Sequence, residues 1–222
     1  MISDSEIVST SLNKRVNLKA RYANLYRPSP KAVSLVNVPP MSYLTLDGSG
    51  DPNTSPEYQQ AIEVLYGLAF TAKFLLKRVL GEDFTVMPLE GLWWAPDMEA
   101  FSVHRKLEWQ WTMMIAQPPV LTPDLFERAR AEALRKKPSP AMERVRLEEL
   151  NEGLCAQIMH IGSYAAEAPT IARLHAFIRA HGFTFDGRTQ KHHEIYLSDP
   201  RRAAPGKMRT IIRQPITAST VG

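Results

Sequence analysis

The chain has one cysteine, Cys155, in 222 residues. A single thiol cannot close an intrachain disulfide, so the core alone must hold the fold, and the count fits a reducing compartment. No uninterrupted apolar run approaches the roughly 20 residues that a membrane helix needs. The opening residues, "MISDSEIVST", have neither the basic nor the apolar stretch of a secretory signal. These absences predict a cytoplasmic protein with no membrane partner. Charge of one sign is also scarce: 27 Lys and Arg face 23 Asp and Glu, and the basic residues form no long run, which argues against a nucleic-acid partner. The six histidines make no spaced cluster with Cys or acids, so neither a metal nor a cofactor is expected. His192 and His193 are adjacent and would point to opposite faces of a strand.

What is present is enough apolar sequence, 44%, for a full core, as one domain or two fused halves. "VSLVNVPPMSYLTL" (33–46) reads as one strand, interrupted or bulged at Pro39-Pro40, and "DGSGDPN" as the loop after it. Ser55 and Pro56 open a helix with apolar residues at Tyr58, Ile62, Leu65, Ala69, Ala72, Leu76 and Val79, stopped near Gly81. "DFTVMPLEGLWWA" (83–95) and "KLEWQWTMMIAQP" (106–118) follow as an antiparallel pair joined by a polar connection, and a connector helix spans about 122–136. "MERVRLEEL" and "LCAQIMHIGSY", split by "NEG", read as a hairpin. "APTIARLHAFIRAHG" is a helix, and "HHEIYLS" and "KMRTIIRQPI" are the last two strands.

Strand, helix, strand, strand thus occurs twice. The expectation is an α+β fold of duplicated β-α-β-β units, with pseudo-repeats at about 31–118 and 142–216, and residues 1–30 as an N-terminal extension to a domain at 31–222. Two such units form two sheets with helices on one face of each, and a ligand groove is expected between the halves, on the faces left free.

All four tryptophans, Trp93, Trp94, Trp109 and Trp111, fall on two neighbouring strands. Alternation puts Trp109, Trp111 and Met113 on one face and points Trp93 and Trp94 oppositely. They are ordinary core or an aromatic cage that stacks flat ligands with Met at its edge. In "KHHEIYLSDPRR" (191–202), Glu194 and Tyr196 share a face with His192, opposite Ile195 and Leu197. A carboxylate among aromatic rings should be raised toward neutrality, as suits a general base or the partner of a cationic ligand, and Tyr196 could donate to an oxyanion. Glu90 and His160 read equally well as structural.

The stretches "LYRPSPKAVSLVNVPPMSYLTLDGSGDPN", "AIEVLYGLAF", "MPLEGLWW", "WTMMIAQP", "EGLCAQIMHIGSY" and "KHHEIYLSDPRR" resemble the GyrI-like (DNA-gyrase-inhibitor-like) small-molecule-binding family in its stand-alone form, over nearly the whole chain from about residue 14. The resemblance implies duplicated SHS2-type units with a small aromatic or hydrophobic ligand held between them. Within the family, the chain is similar to the cyclopropanoid cyclopropyl hydrolases. Those enzymes open the strained ring of DNA-alkylating natural products of the yatakemycin and CC-1065 type inside an aromatic cage. That likeness implies a detoxifying or drug-resistance hydrolase with Glu194 and Tyr196 as catalytic residues and Trp93 and Trp111 as ligand contacts; Met113 and Tyr164 are expected to join them at the ligand. The chain departs from the relatives after "HIGSY", where an acidic "DDEP" is replaced by "AAEA", which keeps only Glu167. The alternative is a drug-sequestering binder that uses the same cage without turnover. The oligomeric state is open.

Overall fold

The computed structural model describes residues 17–96 and 105–219. Two short helices, α1 (Leu18–Arg21) and α2 (Ala23–Tyr26), precede strands β1 (Ser34–Val38) and β2 (Met41–Ser49). Helix α3 (Pro56–Leu80) leads to β3 (Leu89–Trp94) and β4 (Gln110–Ala116), and helices α4 (Pro123–Lys136) and α5 (Pro140–Glu143) connect to the second half. There β5 (Arg146–Leu150), β6 (Gly153–Ile161), α6 (Ala168–Ala180), β7 (Phe183–Thr184), β8 (His192–Tyr196), β9 (Arg209–Pro215) and β10 (Thr217–Ala218) follow. The fold is α+β, dominated by one large curled antiparallel sheet in the order β1-β6-β9-β8-β3-β4-β2-β5; β7 and β10 pair separately.

Local signals place the helices. Ser55 Oγ accepts from the Tyr58 amide at the start of α3, Pro56 needs no partner for an N–H it lacks, and Gly81 ends the helix at φ 70°, where a side chain would be strained. Thr122 and Pro123 open α4 in the same way. Gly182 follows α6 with φ 73°.

Partner choice is where the structure departs from the sequence reading. Residues 33–46 are two strands, because Pro39 and Pro40 offer no amide to a ladder. β1 goes to β6, and β2 lies between β4 and β5. The expected hairpin of β5 and β6 does not form either: β5 pairs with β2 at one edge of the sheet, and β6 pairs with β1 and β9 near the other. Alternation fixes which face a residue takes, not which strand lies beside it. Each half contributes a block of the same internal order, β3-β4-β2 and β8-β9-β6, and receives its outer strand from the other half. The halves share one sheet rather than forming two, joined where β3 pairs with β8. The connection between β3 and β4 includes residues 97–104, which lie outside the described residues.

Both long helices cover the same face. Leu65, Leu68 and Leu76 of α3 join Leu44, Leu46, Met113 and Ile115 in the main core, and Leu174 and Ile178 of α6 join Ala156, Ile158 and Ile212 in a second cluster. Fully burying each such leucine contributes roughly 1.5–3 kcal/mol.

The opposite face, expected to be free for a ligand, stays open over β2, β4 and β5, where Thr45, Leu92, Thr112, Met114, Arg146 and Glu148 line a groove, and is covered around Glu90, Gln157 and Arg213 by the segment carrying α1 and α2. Leu18, Leu25 and Tyr26 are buried there. Tyr26 donates to Glu90 Oε1 at 2.8 Å, and His193 bridges Glu90 Oε2 and Glu152 Oε1, both at 2.9 Å. Arg213 donates to Glu152 Oε2 and to the Leu25 carbonyl, and Gln157 donates to the Asn24 carbonyl. Burial alone would neutralise the His193 ring, but Glu152 and Glu90 outweigh it and push its pKa up to about 9. The same contacts, with Arg213, hold Glu152 down to about 2 against burial. This closed ionic cluster locks the N-terminal segment to the sheet. Among the described residues no helix is long and apolar enough to cross a membrane.

Candidate functional site

The helix-bearing face carries the aromatic residues, at the junction of the halves but on the side opposite to the one expected. β8 is an interior strand whose alternation aims His192, Glu194 and Tyr196 at that face. On β3, Gly91 lies opposite Glu194, and Trp93 opposite His192; on β4, Trp111 lies opposite Trp93. Tyr58, from the first turn of α3, meets Trp111 edge-on at 5.4 Å and Trp93 at 5.9 Å between ring centroids, and Trp109 packs on Trp93 at 5.6 Å. Tyr164, in the single turn Tyr164–Ala166 before α6, stands edge-on to Tyr196 at 5.5 Å and is 41% exposed.

Two glycines make the arrangement possible by close approach. A Cβ on Gly48 would fall 2.1 Å from the Trp111 ring, and one on Gly91 would fall 2.5 Å from Met113 Cε and 2.8 Å from Trp93 Nε1. The rings therefore lie directly on backbone. Trp111 Nε1 has no partner among the described residues.

A directional chain of hydrogen bonds ends on the carboxylate. Trp93 Nε1 donates to the Tyr196 hydroxyl at 2.9 Å, the hydroxyl donates to Glu194 Oε2 at 2.8 Å, and His192 Nε2 lies 3.1 Å from Glu194 Oε1. Burial and the Glu194 charge raise the Tyr196 phenol well above its usual range, so it remains a donor. Its proton is engaged with Glu194, which makes Tyr196 an orienter of the carboxylate in this arrangement rather than a free oxyanion donor.

The expected elevation of Glu194 is not found. Burial pushes it up, but the hydrogen bond from His192, with bonds from Tyr196 and Glu167, prevails and holds it below the ordinary carboxylate range. The raised group is its neighbour Glu167, immediately before α6, which burial first and the Glu194 charge second push up to about 9. Glu167 is 5% exposed, and its Oε1 and Thr210 Oγ1 have no partner of good geometry among the described residues. The pair thus holds one proton between two carboxyls: Glu194 ionised, Glu167 neutral. Glu194 keeps 15% of its side chain open, while Trp93 is nearly and Trp111 and Met113 are fully buried.

The structure brings Glu194, Tyr196, Trp93, Trp111 and Met113 together and sets Tyr164 at the rim. Trp94 faces away, under Lys191 at 4.6 Å. Glu90 belongs to the cluster on the other face, and His160 is satisfied by Thr170 and the Ser163 carbonyl. Sequence reasoning placed Tyr58 only in a helix stripe, where a tyrosine among aliphatics was the available hint, and noted Glu167 only as the remnant of an acidic motif. Among the described residues no group of three or more His, Cys, Asp or Glu is arranged to hold a metal ion.

The family model described as "GyrI-like small molecule binding domain" matches residues 31–216. Three solved structures from Listeria innocua are similar over nearly the whole chain. An uncharacterized conserved protein is 39% identical over 91% of this chain and 100% of its own, with TM-score 0.84. Two others are described as hydrolases. One is 38% identical over 92% of this chain and 100% of its own, with TM-score 0.82, and the second is 37% identical over 91% and 100%, with TM-score 0.78. No curated protein matches.

Proposed function

The chain belongs to the GyrI-like small-molecule-binding family, and on that premise we propose that it holds flat hydrophobic xenobiotics against Trp93, Trp111 and Tyr58 and hydrolyses the cyclopropane of DNA-alkylating cyclopropanoids of the yatakemycin and CC-1065 type. The observation that carries this reading is the carboxylate of Glu194, held by His192 and by Tyr196, which Trp93 in turn holds, with Glu167 buried beside it at an aromatic cluster. The hydrolase description of two relatives supports catalysis at such a site.

In a spirocyclopropyl dienone, the oxygen of a water molecule bonds to the cyclopropane methylene while the adjacent carbon–carbon bond breaks. The electron pair moves through the ring to the carbonyl oxygen, which becomes a phenolate. Glu194 takes the proton of the attacking water and Glu167 supplies one to the phenolate oxygen, so the net change is addition of one water. Proton return from Glu194 to Glu167 restores the starting pair. A carboxylate held low is a weak base, so Glu194 acts by positioning the water and accepting its proton as the bond forms. Negative charge develops on the carbonyl oxygen as the ring opens, and stabilising it lowers the barrier most; a nearby neutral acid does that without a net positive group. The rings of the cage, set edge-on or tilted to one another, fix the ligand plane relative to the pair.

Incubation with a cyclopropanoid alkylator, followed by mass spectrometry, tests this. Many equivalents of product heavier by one water per protein support hydrolysis. The family description, small-molecule binding, favours the second reading, sequestration without turnover; ligand recovered unchanged beyond one equivalent would establish it and remove the enzyme.

A further inference from the structure

Glu194 and Glu167 are chemically the same group, buried side by side, yet only one can comfortably be charged. What selects the member is visible behind Glu194. His192 is 4% exposed in its side chain, with Nε2 3.1 Å from Glu194 Oε1 and Nδ1 3.1 Å from the amide nitrogen of Gln214. The same Gln214 nitrogen lies 2.9 Å from Nε2 of His175 on α6, and Gln214 is 1% exposed. An amide nitrogen has two hydrogens and accepts nothing, so with both contacts made it demands a lone pair on each ring. With the amide turned this way, His192 carries its hydrogen on Nε2, aimed at Glu194, and Gln214 Oε1 has no partner among the described residues. Burial holds His175 below its usual range, which keeps that ring an acceptor.

We propose that His192, with its tautomer set by Gln214, is the positioning residue that makes Glu194 the ionised member of the carboxylate pair. The groups that face Glu194 are His192 and Tyr196 from β8, Glu167 before α6, Tyr58 from α3 and Tyr164 from the turn between; Thr210 of β9 faces Glu167. Of these, His192 and Tyr196 place donors on Glu194, whereas Glu167 Oε1 has none. The asymmetry resides in the surrounding groups, not in the carboxyls. This deepens the proposed function, since it rests on Glu194 and Glu167 being the working pair, but its test needs no substrate.

Carbon-detected NMR titration of the glutamate carboxyls, with Glu167→Gln for assignment, reads the proton's place in the free protein. In wild type, Glu194 should titrate below the usual carboxylate range and Glu167 near 9. His192→Phe should raise the apparent pKa of Glu194 by about one unit or more, roughly tenfold in proton affinity, and bring Glu167 down. His192→Gln, whose amide can stand in for Nε2–H, should restore the split. Ring nitrogen shifts of wild-type His192 should show its hydrogen on Nε2, the nitrogen that faces Glu194. An unmoved Glu194 in folded His192→Phe overturns the proposal. If that variant does not fold, a wild-type ring with its hydrogen on Nδ1 overturns it equally. Failure to hydrolyse any cyclopropanoid would touch the proposed reaction and leave both results intact.

Discussion

Replacing Glu167 with glutamine should stabilise the protein, and by an amount that grows with pH. In the unfolded chain this carboxyl titrates near its ordinary value of 4.5, and in the folded state near 9. Between those values the native state holds a proton that the unfolded state has released, so stability falls as pH rises, at about 1.4 kcal/mol per unit. The contribution is complete below the unfolded pKa and lost as pH passes through the folded one. At pH 7 the separation from 4.5 is 2.5 units, which makes the cost of keeping the proton about 3 kcal/mol. Glutamine copies the neutral acid in size and retains an N–H to offer Glu194, but it never has to be protonated. The variant should therefore match wild type near pH 4.5 and exceed it by about 3 kcal/mol at pH 7, a rise of roughly 6–12 °C in Tm for a chain of this length. Urea denaturation of both proteins at several pH values between 5 and 9 measures the difference directly. A difference that stays constant with pH, or a variant less stable throughout, would refute the placement of the proton on Glu167. Such a variant should also lose turnover, the usual relation between a strained working group and stability.

Glu194→Gln removes the proton acceptor with little change in shape, so hydrolysis should fall by roughly 10²- to 10⁴-fold while ligand affinity, read by tryptophan quenching, stays near wild type. Gly48→Ala drives a Cβ into the Trp111 ring at 2.1 Å; thermal melting should show a loss of roughly 1–3 kcal/mol with weaker quenching by flat ligands, and an unchanged melt would mean that the ring has room to move. Tyr26→Phe leaves Glu90 Oε1 without its 2.8 Å donor in a fully buried cluster; chemical denaturation should show a loss of about 1–3 kcal/mol, with the cage intact by fluorescence.

Elements whose signals are carried by neighbours in sequence were legible. Ser55-Pro56 and Gly81 bracket α3 because capping is settled within four residues, and Thr122-Pro123 opens α4 for the same reason. The common face of His192, Glu194 and Tyr196 follows from the two-residue period of a strand, and the pairing of β3 with β4 from two aromatic runs close together in the chain. Partnerships between distant segments were not. The exchange of β1 and β5 between halves, the seating of α2 against Glu90 and Arg213, and the bond from Trp93 to Tyr196 across 103 positions depend on which surfaces fit once the sheet has curled. The proton belongs to this second class: sequence placed a carboxylate among aromatic rings and raised its pKa. Tertiary structure surrounded Glu194 with donors, left Glu167 buried with an unpaired oxygen, and so transferred the elevation to a residue 27 positions earlier in the chain. Ionisation is set by the total field and hydration at a point in space, and only the folded chain defines that point.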